Sequence, residues 1–205
     1  SYRVQVTTIA MFLNDNLAPT LITYFCGLKD VAYYRVASRL FNLSRAIPMK
    51  LTQPITPAAS NLKAMGKDKD VLQLFFRSMK YNALLSFPLT VGMIVFSHPF
   101  IVVWLGSGYE KSAMTVIIIV SSYFLFLGCE PAWGILYGLG KPNLGMHTSI
   151  LHMGLNISLV SILAMKFGYY GAIVGSTLAL SLSYIYFLIR FHQIVGIAIR
   201  DTFVE

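Results

Sequence analysis

The sequence predicts an all-α fold, a polytopic membrane bundle of about six transmembrane helices, on three observations. Of the 205 residues, 56% are hydrophobic and 12% charged, against about 25% charged in soluble domains. Four apolar segments, 81–105, 113–136, 144–165 and 170–191, match the roughly 20 helical residues that cross a hydrocarbon core about 30 Å thick. The connections between them are short, and no soluble domain intervenes. The net charge of +8 reports membrane orientation rather than nucleic-acid binding, because the basic residues gather in links between apolar runs. Cys26 and Cys129 sit in apolar surroundings without metal-ligand spacing and read as small buried hydrophobes, and no cofactor is implied.

Two further spans are more polar. The first, 5–26, is interrupted by Asn14, Asp15, Asn16 and Pro19, and the second, 31–60, carries cations. Projected at roughly 100° per residue, Arg35, Arg39, Asn42, Lys50 and Gln53 fall within about 80° of one another. Arg45 lies about 80° off that face and reads as a helix–helix or interfacial partner. Cations are costly in hydrocarbon, so a spanning helix turns them toward a protein-enclosed aqueous cavity. A cationic cavity suits an anionic substrate. Pro48, Pro54 and Pro57 bend this helix and weaken the projection beyond Pro48. Residues 1–205 are thus expected to form a single six-helix lobe, and the start at Ser1, without a methionine or a signal peptide's charged region, suggests a fragment lacking an N-terminal lobe.

Lys63, Lys67, Lys69, Arg77 and Lys80 crowd one link, Lys141 lies in another, and Arg190 and Arg200 follow the last span. The alternate links hold Lys29, Lys111 and Lys166, so the crowded side is expected to be cytoplasmic, with both termini on it. The segment 61–80 has two readings: a basic loop running into the next span, or a short interfacial helix with Val71, Leu72, Leu74, Phe75 and Met79 as its apolar face.

Several stretches resemble one family. HPFIVVWLGSGYEKSAMTVIIIVSSYFLFLG ends an apolar run in a Gly106-x-x-Tyr109 turn before Ala113, and NISLVSILAMKFGYYGAIVGSTLALSLSYIYFL runs from Asn156 to Gly168-x-x-Gly171-Ala172 and Gly175. The passage from Tyr34-Arg-Val-Ala-Ser-Arg-Leu through Ile47-Pro48 and Pro57 to Gly66 is similar to the helix preceding the same family's large cytoplasmic loop. In order and spacing these resemble the C-terminal half of a multidrug/oligosaccharidyl-lipid/polysaccharide (MOP) exporter of the O-antigen and capsule flippase branch. The resemblance implies two lobes around an alternately opening cavity in the bacterial inner membrane. Its implied partners are a polyprenyl-diphosphate-linked oligosaccharide, membrane lipids and the N-terminal lobe, with H⁺ or Na⁺ as coupling ions.

Arg35, Arg39 and Lys50 are the leading substrate-binding candidates, joined by Asn42 and Gln53, because guanidinium forks hold phosphate oxygens bidentately. Asp15 reads either as the partner of a neighbouring arginine or as a coupling site. Glu130-Pro131 joins an acid to a helix breaker inside a span, which suits a hinge or coupling residue, or a core carboxyl bonded to a neighbour. His147 and His152, five positions apart on a helix, make poor ligand geometry, so no metal site is expected. An ion-coupled multidrug antiporter is the alternative, but it calls for an acidic cavity, and here Asp15 and Glu130 face Arg35, Arg39, Arg45 and Lys50. A membrane-embedded polymerase or ligase would need a large outer loop with polar catalytic groups, which these short links do not provide, so no enzyme is expected.

Overall fold

The computed structural model describes residues 2–123 and 129–195, without the side chains of residues 2–4, 6–13 and 15. The elements are α1 (Tyr2–Cys26), α2 (Leu28–Thr52), α3 (Ile55–Ala64), α4 (Asp68–Leu105), a 3-10 turn (Ser107–Tyr109), α5 (Glu110–Ser121), α6 (Cys129–Gly138) and α7 (Asn143–Val195). At Gly168 α7 leaves helical geometry, with φ 62° and ψ −141°, a conformation open to a residue without a Cβ. Its two limbs, 143–167 and 169–195, then run antiparallel: Gly171 lies against Leu163 and Gly175 against Leu159. The described residues therefore make six passes, with α2–α3 and α5–α6 each counting as one and α7 as two.

All five reversals between passes fall at glycines of positive φ: Gly27, Gly66, Gly106, Gly140 and Gly168. At one end of the bundle the turns close as αL caps. Lys67 N–H donates to Leu62 O at 3.0 Å and Lys141 N–H to Leu136 O at 2.9 Å, satisfying carbonyls that the helix ends leave open.

Three apolar clusters hold the passes together. At the Gly66 end, Ile55 and Ala59 of α3 meet Phe75 of α4, Ile135 of α6 and Phe187 and Phe191 of α7. At the Gly168 end, Ile22 of α1 and Tyr33 of α2 pack on Val160, Ala172 and Ile173. Between α2 and α5, small side chains at Ala37 and Ala113 let the helices approach, sealed by Leu40, Ile101, Val116 and Val120. On the outside, α4 exposes Leu84, Phe87, Val91 and Val95, and the second limb of α7 exposes Leu178, Leu182, Ile185 and Ile189. Each set keeps helical spacing and forms a continuous apolar face, the surface a membrane protein turns to lipid. Both helices are long and apolar enough to cross a membrane.

Two features differ from the sequence expectation. Pro48, expected to bend the helix, lies buried inside α2, while the break in the pass falls at Gln53–Pro54, where the second of the expected bends stands. The basic stretch 68–80 is neither a loop nor a separate short helix. It is the first part of α4, whose 38 residues span roughly 57 Å at the usual helical rise, well beyond one hydrocarbon thickness. Its apolar residues Val71 and Phe75 are buried in the protein core.

Gly134 and Gly138 of α6 form a Gly-x-x-x-Gly face against α3, where a Cβ on Gly138 would come 2.5 Å from Thr56 O and 2.8 Å from the Ala59 Cβ. Gly138→Val should lower stability by about 1–3 kcal/mol through this overpacking. Gly154→Ala, with nothing within 4 Å of the added carbon, should be neutral or slightly stabilising. Thermal unfolding in detergent checks the pair, and an unchanged midpoint for Gly138→Val would contradict the close crossing.

Candidate functional site

Within the lobe, a cavity of about 620 Å³ opens between α2 and the packed pair of α1 and α7. The α2 wall presents Arg35, Ser38, Asn42, Arg45 and Met49 at three- and four-residue steps, one face of a helix. That face is rotated by roughly 60° toward Arg45 from the stripe read in the sequence, taking 100° per residue. Arg35 and Asn42 therefore line the cavity. Arg39 and Lys50 on α2, and Gln53 at its C-terminal end, are exposed and lie outside the lining.

Arg45 is held in place by a carboxylate from another pass. Its Nη2 and Nε donate to Oε1 of Glu130 at 2.8 and 3.0 Å. The Arg45 side chain is 32% exposed and that of Glu130 10%, so the pair sits at the cavity margin with its acid inside the protein. Glu130 lies in α6, directly followed by Pro131. The sequence places Arg45 off the substrate stripe and offers Glu130 a neighbour's Ser or Asn; the fold instead joins Arg45 and Glu130 across 85 positions. Asp15 lies on α1, and its side chain is outside the described residues.

The opposite wall is polar without charge among the described side chains. The first limb of α7 supplies Thr148, Ser149, His152 and Asn156, and the second supplies Ser176, Thr177 and Ser183. Asn14 of α1 donates from Nδ2 to the Ser149 carbonyl at 3.2 Å. Asn156 is 1% exposed, and its Nδ2 lies 3.5 Å from both His152 Nε2 and Ser176 Oγ. Thr148, Thr177 and Ser183 donate their hydroxyl protons to carbonyls one turn back on their own helix, the usual accommodation of hydroxyls in an apolar helix. Residues 148, 149, 152 and 156 stand at helical spacing in the sequence, a signal masked by the long apolar run around them. Among the described residues no cluster of His, Cys, Asp and Glu could hold a metal ion.

Removing one partner of a largely buried ion pair strands the other charge. Arg45→Met should therefore destabilise the protein by about 3 kcal/mol, and Arg45→Met with Glu130→Leu should recover most of that loss. Thermal unfolding of the two single variants and the double variant tests the coupling; strictly additive effects would show that the pair does not act as a unit.

Known proteins place this geometry. The chain is 22% identical over 183 residues to a protein of Haloferax volcanii described as a "probable low-salt glycan biosynthesis flippase", covering 87% of this chain and 38% of that one. All of the chain superposes on 47% of a MOP superfamily transporter from Pyrococcus furiosus, with a TM-score of 0.82 at 16% identity. It superposes likewise on 47% of an outward-facing multidrug resistance MATE family transporter of the same superfamily, with a TM-score of 0.81 at 17% identity. These two likenesses are of fold: the bundle shares the architecture of about half of each of those transporters. The chain spans less than half the length of each of these proteins. Residues 1–114, more than half of the chain, match the family described as polysaccharide biosynthesis proteins, and the chain belongs to that family.

Proposed function

We propose that this chain forms one lobe of a flippase that moves polyprenyl-diphosphate-linked oligosaccharides across the cytoplasmic membrane. The observation that carries the reading is a cavity within the helical bundle with Arg35 and Arg45 on one wall, next to Arg39 and Lys50 exposed on the same helix. A diphosphate carries negative charge that guanidinium forks bind with two parallel hydrogen bonds. Arg35 and Asn42 would hold the phosphates. Arg45, already committed to Glu130, would be shared between that carboxylate and the incoming phosphate. The sugar would cross within the polar cavity while the polyprenyl tail stays in lipid along the apolar outer faces. Membership in the polysaccharide biosynthesis family and the likeness to a glycan flippase support this reading.

Transport would follow alternating access, with this lobe rocking against an N-terminal companion. The end bearing Lys63, Lys67, Lys69, Arg77 and Lys80 would face the cytoplasm, as would both ends of the chain. Asp15 and Glu130 are the carboxylates through which H⁺ or Na⁺ would couple to the cycle. The MATE likeness keeps a multidrug antiporter as the second reading. An organic cation, however, would meet guanidinium groups in this cavity.

Disrupting the gene should cause polyprenyl-diphosphate-linked glycans to accumulate on the cytoplasmic side. Wild type should restore export, and Arg35→Ala should leave it at least about tenfold reduced, the loss of one charge-assisted contact, at normal protein level. Arg39→Ala, at an exposed position, reports whether the cationic surface extends beyond the cavity, and a loss of export is expected there also. Normal glycans together with new sensitivity to cationic drugs would transfer the assignment to the antiporter reading.

A further inference from the structure

We infer that the uncharged wall built by α1 and α7 is a hydroxyl-recognition subsite that reads the sugar next to the diphosphate, an inference that rests on the flippase reading above. The cavity is chemically divided. Its α2 wall carries guanidinium groups, whereas the facing wall bears amides, hydroxyls and an imidazole with no charge among the described side chains. Among the described side chains, a phosphate would find its counter-charges on the first wall.

The facing wall is rich in acceptors. Thr148, Thr177 and Ser183 have spent their protons on backbone carbonyls, leaving their oxygens as acceptors. Two amide oxygens, Oδ1 of Asn14 and Oδ1 of Asn156, are buried without a hydrogen-bond partner. Buried polar atoms are almost always paired, and both residues line the cavity, so a turn of either amide toward an occupant would give its oxygen the donor it lacks. The amide nitrogen of Asn156 makes only long contacts, 3.5 Å to His152 and to Ser176, so a better-placed acceptor would hold it more strongly. A group that both donates and accepts satisfies this set, and a sugar hydroxyl does so without charge. A cation would find acceptors here but no described carboxylate on the same wall.

The specificity-determining residues are therefore Asn156, His152 and Ser176, with Asn14 supporting them through Ser149. None of them contributes charge to the diphosphate end. Variants at these positions should separate sugar recognition from anion binding, which a general structural role would not do.

The test compares two probes on the intact, purified membrane protein: bare polyprenyl diphosphate, and the same lipid bearing one N-acetylhexosamine. Wild type should bind the sugar-bearing lipid roughly tenfold more tightly, the scale of one or two net hydrogen bonds. Asn156→Leu should erase that advantage while leaving affinity for the bare lipid unchanged. Ser176→Ala, a milder change that keeps the packing, should reduce the advantage in the same direction and serves if Asn156→Leu does not fold. An equal affinity of wild type for both lipids, or an advantage that survives the substitutions, would overturn the subsite. Binding of neither lipid would instead bring down the flippase reading, and this inference with it.

Discussion

Hydrocarbon offers a polar group neither a hydrogen bond nor a counter-ion, and this constraint sorts the side chains of the whole lobe. The faces of α4 and α7 that carry Leu84, Phe87, Leu182 and Ile185 can meet lipid and are exposed. Many of the residues that cannot meet lipid, from Arg35 and Arg45 to His152 and Asn156, line one cavity, while Arg39 and Lys50 stand exposed beside it on α2. Glu130 is the sharpest case. A carboxylate inside a span survives only beside a cation, and Arg45 reaches it with two hydrogen bonds from a different pass. The same rule places hydroxyls against carbonyls of their own helices, so that polar side chains remain affordable at depth without disrupting the bundle.

Without a hydrophobic force between helices in lipid, close packing must supply much of the adhesion. Small residues mark each intimate crossing: Ala37 and Ala113 between α2 and α5, Gly134 and Gly138 between α6 and α3, and Gly171 and Gly175 between the limbs of α7. Glycines of another kind make the reversals, where positive φ lets six passes fold with very short links. The result leaves room for the cavity while the ends of the bundle are sealed by aromatic clusters around Phe75, Phe187 and Phe191 at one end and Tyr33 and Tyr169 at the other.

Hydropathy and turn residues made the membrane-bundle class readable from sequence, because long apolar runs and glycine punctuation are local signals. The family was readable too, from the order of turn motifs along the chain, of which Gly106-x-x-Tyr109 lies within the matched residues 1–114. The cavity was read only in part. α2 was recognised as the cationic wall, but a helical projection has no zero of angle until tertiary packing sets it, and Ala37 and Leu40 against α5 turned the inward face toward Arg45. The pairing of Arg45 with Glu130 is non-local and leaves no trace in spacing. The α7 wall was hidden for the opposite reason: its Ser, Thr, Asn and His residues are diluted in a run whose hydrophobicity reports the lipid face. Likewise, the charges of 67–80 drew the reading to the surface and obscured the buried step from Val71 to Phe75.

A cavity within the helical bundle lined by arginines, in a chain of a polysaccharide biosynthesis family, makes the sign of the substrate's charge the central claim. It is tested most directly by a titration of the intact purified protein with polyprenyl diphosphate and, separately, with an organic cation such as ethidium. The account predicts saturable binding of the diphosphate that weakens steeply with added salt and is lost in Arg35→Gln, with no saturable binding of the cation. Saturable binding of the cation, undiminished by Arg35→Gln and without competition from polyprenyl diphosphate, would contradict it.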